Sequence, residues 1–137
     1  MTKIYSHERY NKLVDATVHQ LKELSRLKGG EYAGDTDRLA NFRRNAEALG
    51  LKQEQVWSVY AAKHWDAIMQ YIKDVGAGKE RERMESITGR ADDLIVYLVL
   101  FKAIFEDGMP LTNGLTEQKY ENMGAWVPVS KEYLSKC

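Results

Sequence analysis

Glu54-Gln-Val56-Trp-Ser-Val59-Tyr60-Ala-Ala-Lys63-His64-Trp-Asp-Ala67-Ile68-Met-Gln-Tyr71-Ile72-Lys73 repeats its apolar residues at helical spacing. Val56, Val59, Tyr60, Ala67, Ile68, Tyr71 and Ile72 would form one stripe. Lys63 falls one turn after Val59 and one turn before Ala67, and His64 lies between Tyr60 and Ile68. The stripe therefore carries a cation in its middle. An amine there loses hydration unless it finds a partner, and charged residues at core positions often serve a site. The ordinary reading is that Lys63 snorkels to water and His64 is a hydrogen-bonded core histidine. The pair together points to a polar site between helices.

Working outward, the same period predicts three more helices. The first runs from Ser6, a suitable N-cap, to Lys28, with Tyr10, Leu13, Val14, Val18, Leu21 and Leu24 on one face. Gly29-Gly30 is expected to stop it. The second begins near Asp37, ends at Gly50 and shows Leu39, Phe42, Ala46 and Leu49 on one side. The long helix of Lys63 spans about residues 52–75. Gly76-Ala-Gly78 then opens Lys79-Glu-Arg-Glu-Arg83, read as a solvated linker. Ser86 or Thr88 caps the fourth helix, whose segment Leu94–Phe105 is apolar nearly all round and should lie at the centre of a bundle. Both prolines, Pro110 and Pro128, come later. The expected fold is all-α: a four-helix bundle-like domain over residues 1–108, with residues 109–137 a short irregular C-terminal arm. That arm is expected to hold a short helix near Thr116–Met123 and to dock Trp126 on the body.

Composition narrows the classes of function. The chain has 137 residues, enough for one domain with a core. Its 20 basic and 20 acidic residues cancel, which argues against bulk nucleic-acid binding. Cys137 is the single cysteine, so neither a disulfide framework nor a Cys-based zinc site is available. The absence of an apolar leader and of a bilayer-length apolar run suggests a cytoplasmic protein without a membrane partner. No P-loop, nucleophile elbow or His-Glu-x-x-His is present, which disfavours classical kinases, serine hydrolases and zincins. A bundle rich in aromatic residues is expected to form homo-oligomers.

The candidate chemistry lies in two sets of residues. Arg38, Arg43, Arg44, Lys63 and Arg90 are suited to phosphate, and Tyr32, Trp57, Tyr60, Trp65 and Tyr97 to stacking on a base. Among the acids, Glu82-x-x-Glu85 would place two carboxylates on one face if that stretch is helical. Asp93 heads the core-directed line Asp93–Tyr97–Leu100–Ile104. Glu82, Glu85 and Asp93 are thus the candidate ligands for Mg2+, a hard cation that takes carboxylate oxygens. Acids near helix starts are also ordinary surface residues.

The run Asp37-Arg-Leu-Ala-Asn41-Phe42-Arg-Arg-Asn-Ala, the Lys63-His64 pair and the block Glu85-Ser-Ile-x-x-Arg90-x-x-Asp93-Leu resemble the nucleotide modification associated domain 1 family, over residues 28–105. Its members are mostly phage-encoded and associated with nucleotide metabolism. A more distant likeness is to the all-α nucleotide pyrophosphohydrolases of the MazG and dimeric dUTPase type, which hold magnesium between Glu-x-x-Glu and Glu-x-x-Asp pairs. Here no long helical spacer separates the acids, and no Glu-x-x-Asp lies beside Asp93. The resemblance implies a phage-encoded nucleotide-binding protein that acts in nucleotide metabolism or sequesters a nucleotide signal of host defence. Arg38, Lys63, His64 and Arg90 would contact phosphate or orient the pocket. Tyr32, Asn41 and Tyr97 would hold base or sugar, with Tyr60 alongside. Glu85 and Asp93 would fix Lys63 and Arg90 or bind magnesium. The alternatives are a magnesium-dependent nucleoside triphosphate pyrophosphohydrolase and a protein–protein inhibitor of a host factor.

Overall fold

In the computed structural model of the chain, residues 3–34 and 36–108 are described. They form four helices and no strand: α1 (His7–Ala33), α2 (Ala40–Leu49), α3 (Gln53–Gly76) and α4 (Ile87–Asp107). The architecture is the expected all-α, bundle-like one. Residues 1–104 make one compact unit; a second begins at Phe105, and only its first four residues are among those described. Trp126, the helix expected at Thr116–Met123, both prolines and Cys137 lie outside the described residues.

Ser6 caps α1 as its side chain predicts, accepting a hydrogen bond from the Arg9 amide at 3.1 Å. The other end differs from expectation. Gly29 and Gly30 stay helical, and the helix ends at Gly34, whose φ of 75° suits glycine. A glycine inside a helix costs only about 1 kcal/mol relative to alanine, so the pair did not have to stop it. At α2, Asp37 acts one turn early. Its carboxylate accepts from the Leu39 amide at 3.1 Å, which makes a turn, and the helix starts at Ala40. Gly50 closes α2 with φ 65° while the Leu51 amide reaches the Ala46 carbonyl.

The core is built from Leu39, Phe42 and Ala46 of α2 and its lead-in turn, Val56 of α3, and Val96, Leu100 and Ile104 of α4. Leu21 and Leu24 of α1 pack on it with Trp57, Tyr60 and Tyr97. Phe42 is 1% exposed, and deleting such a ring typically costs about 3–5 kcal/mol. Three expected faces are corrected. Leu49 of α2 is exposed. α4 is not central, because Leu98, Val99 and Phe101 face outward. On α3 the buried residues are Val56, Ala61, His64 and Asp74, while Val59, Lys63 and Ile72 are exposed. Apolar residues occupy two adjacent faces of this helix, so the period alone fits two rotations about the axis. The core takes the face that carries His64 and leaves Lys63 outside.

The charged linker after α3 is also more ordered than expected. Arg81 and Arg83 both return to the Asp74 carboxylate, at 3.1 and 3.0 Å, and the Lys79 amide donates to the Asp74 carbonyl at 2.9 Å. Arg83 also lies over the Tyr71 ring at 4.9 Å.

Candidate functional site

The core-facing line of α1 carries a lysine. The 3.6-residue period runs Leu21, Leu24, Lys28, and Leu21 and Leu24 pack on the core. Lys28 therefore reaches inward and donates to Asp93, which heads the buried line of α4. His64 of α3 stands on the other side of that carboxylate, with Nδ1 3.7 Å from Asp93 Oδ2. Arg90, one turn before Asp93 on α4, approaches His64 Nδ1 at 3.4 Å and Glu85 at 3.5 Å. The Tyr97 ring, one turn after Asp93, sits 5.2 Å from the imidazole, centroid to centroid. Three helices thus bring Lys28, His64, Arg90, Asp93 and Tyr97 to one place. The Trp57 indole fixes it from below by donating to the Tyr97 carbonyl at 2.6 Å.

Burial holds the His64 imidazole below its ordinary value. Asp93 works against that shift, while Arg90, Lys28 and Lys63 add to it. His64 is therefore neutral at physiological pH. In the tautomer that accepts from Arg90 at Nδ1, its Nε2–H is a donor. Burial also raises the Tyr97 phenol, with Asp93, Tyr32 and Tyr60 adding and Arg38 opposing. These couplings place Arg38, Tyr32 and Tyr60 within electrostatic range of Tyr97.

Of the residues expected at the site, His64, Arg90, Asp93 and Tyr97 meet directly; Tyr60 packs on the same core cluster as Tyr97, Arg38 lies against Gly29, and Tyr32 is exposed. Tyr60 is held by Asn45 at 2.8 Å and tilts against Phe42. The Asn41 amide oxygen is buried and has no hydrogen-bond partner. Lys63 is corrected: its field reaches His64, but its side chain is exposed, and Lys28 is the amine that meets Asp93. Lys28 was legible in principle, four residues after Leu24 on the core-facing line of α1. Asn45 carries no sequence signal of its own, Gly29 signals a helix stop instead of a seat for Arg38, and Trp57 an aromatic ring instead of a donor to the Tyr97 carbonyl.

The acids proposed for magnesium are not arranged around one point. Asp93 is engaged by Lys28 and His64, Glu85 pairs with Arg90, and Glu82 is exposed on the linker. Among the described residues no three acid, histidine or cysteine side chains gather as a metal would require. Two of the three acids, Asp93 and Glu85, already face cations.

No protein family, curated protein or solved structure matches this chain. The resemblance to the nucleotide modification associated domain 1 family therefore rests on the residues quoted above. No described helix is long and apolar enough to cross a membrane.

Proposed function

We propose that this chain binds a nucleotide or nucleotide-derived ligand at the meeting point of α1, α3 and α4. The observation that carries the reading is the charge balance. Lys28, Arg90 and Arg38 bring three cations, with Lys63 beyond them. Asp93 and Glu85 bring two carboxylates, and Arg38 has no acidic partner among the described residues. An excess cation held partly out of water favours an anion. Tyr97 and Tyr32 supply ring faces for a base or a sugar beside it. The His64 Nε2–H and the unpartnered Asn41 carbonyl oxygen offer one donor and one acceptor to the ligand's polar edges.

The biological setting belongs to the same proposal. A phage-encoded protein of this kind would act in nucleotide metabolism, or would hold a nucleotide signal of host defence away from its receptor. Sequestration needs a pocket and no catalytic metal. The exposed line Tyr10, Leu13, Val14 and Val18 on the first half of α1 supports association between copies of the chain; light scattering checks it.

Calorimetry with a panel of nucleoside mono-, di- and triphosphates and cyclic dinucleotides, with and without EDTA, tests the reading. Binding that survives chelation, with the ligand recovered intact, is expected. Pyrophosphate release from a triphosphate on adding magnesium would replace this reading with the hydrolase. No binding across the panel, with a host protein captured instead, would replace it with the inhibitor of a host factor.

A further inference from the structure

Gly29 is the one buried residue of α1, and Arg38 explains why. A Cβ built on Gly29 would stand 2.8 Å from Arg38 Nε and 3.0 Å from Arg38 Cδ. Its third nearest neighbour is Arg38 Cζ, at 3.5 Å. The arginine thus lies across the bare backbone of α1, in a seat that only glycine leaves open. Gly30, one residue on, has nothing within 4 Å of the same position. The two glycines look alike in sequence but differ in what covers them.

The cation seated there is the spare one. Lys28 is taken by Asp93, Arg90 by Glu85 and His64, and Arg43 by Asp37. Among the described residues Arg38 has no such partner, although burial already disfavours its charge. A guanidinium partly withdrawn from water without a carboxylate is unfavourable unless something else supplies the anion. Its planar fork matches two oxygens of one phosphate.

We infer that Gly29 is a positioning residue: its missing side chain seats Arg38 across α1, next to Lys28, as the anchor for a phosphate-type oxyanion of the ligand. The inference rests on the nucleotide reading above and adds to it the group that takes the phosphate and the residue that places that group. Gly29 touches no ligand. It acts only through Arg38.

The test uses the full chain labelled with 15N-arginine. The Arg38 Nε–H resonance is assigned by its loss in Arg38→Lys. Inorganic pyrophosphate without magnesium is the probe. In the wild type, pyrophosphate should shift the Arg38 signal and saturate. In Gly29→Ala, the Arg38 signal should move before any probe is added, and pyrophosphate affinity should fall at least about tenfold, a loss of about 1.4 kcal/mol. The urea midpoint should hold or rise, because alanine favours the helix. Gly30→Ala should raise the midpoint and leave both the signal and the affinity unchanged. A wild-type Arg38 signal indifferent to pyrophosphate would overturn the anchor. Nucleotides that bind while Gly29→Ala leaves the signal and the affinity unchanged would overturn Gly29 alone and leave the nucleotide reading standing. A Gly29→Ala protein that fails to fold would also overturn the assignment, since the three nearest atoms all belong to one flexible side chain.

Discussion

Asp74 and Asp93 are equally buried, each 7% exposed, and each is surrounded by cations, yet the two clusters do different things. Asp74 is served from its own neighbourhood. Gln70, Arg81 and Arg83 all lie within nine residues of it, and together they occupy both carboxylate oxygens. The Gln70 amide, followed by the arginines, holds the Asp74 carboxyl below the usual range against the opposing effect of burial. That cluster is closed, and it ties the linker to the end of α3. Asp93 is served from far along the chain, by Lys28 at 65 residues' separation and by His64 on a third helix. Near it stand Arg90 and Tyr97, and Arg38, which has no acidic partner among the described residues, lies against Gly29, the residue after Lys28. The local cluster is complete in itself and reads as a latch. The long-range cluster keeps a cation in excess and reads as a site.

The largest expected effect breaks the second cluster. Asp93→Asn removes the negative charge of a buried ion pair, and breaking such a pair typically costs about 3–5 kcal/mol. The Lys28 side chain keeps 32% of its exposure and can reach water, so a loss of about 2 kcal/mol is expected in urea denaturation. Lys28→Met with Asp93→Leu should recover most of it, because neither charge is then stranded. A double variant as unstable as the single one would mean that the pair does more than neutralise itself.

Next comes the latch. Asp74→Asn should speed tryptic cleavage at Arg81 and Arg83 while leaving ligand affinity untouched. A loss of affinity as large as that of Arg38→Ala would erase the distinction between the two clusters.

A smaller effect is set by pH. His64 titrates below its ordinary value of 6.5 in the folded chain. The unfolded chain therefore takes up the proton first as pH falls. The stability contributed by neutral His64 is full above about pH 6.5 and is lost below it. Asp93, Arg90 and Tyr97 stand against the ring, and the charges of Lys28 and Lys63 also reach it. Urea midpoints should decline from pH 7 to pH 5, and His64→Gln should flatten that slope. The Asp37 carboxyl, lowered chiefly by its hydrogen bond with Arg43, and the Asp74 carboxyl lose their contributions only as pH falls below 3.8, outside this window.

The smallest effect belongs to Lys63. It is exposed, so Lys63→Ala should change stability by no more than about 0.5 kcal/mol. Ligand affinity should change less than with Lys28→Ala. The reverse order would return the site to the face of α3 that carries Lys63.

Much of this was readable before any coordinates. Ser6 and Gly50 mark helix ends because caps are local chemistry. The line Asp93–Leu100–Ile104 is legible because α4 has a single acid on an apolar stripe. His64, Arg90 and Tyr97 were expected together, and they meet. The misreadings share a cause. On α3 two apolar faces adjoin, and the choice between Lys63 and its neighbour His64 is made by what packs against the helix. On α1 the Gly-Gly pair ends the expected helix at Lys28, so that lysine reads as an ordinary surface cation at a helix end. Whether a glycine ends a helix or makes room for Arg38 depends on a residue nine positions away. That contact lies in tertiary packing and outside any local pattern.

Mass spectrometry of small molecules released from the purified protein tests the central claim most directly. Wild type, Arg38→Ala and Lys63→Ala should be prepared side by side from the same cells. The account predicts a phosphate-bearing compound absorbing near 260 nm, released from wild type and Lys63→Ala and depleted in Arg38→Ala. The same compound in equal amounts from all three, or none from any, would contradict it.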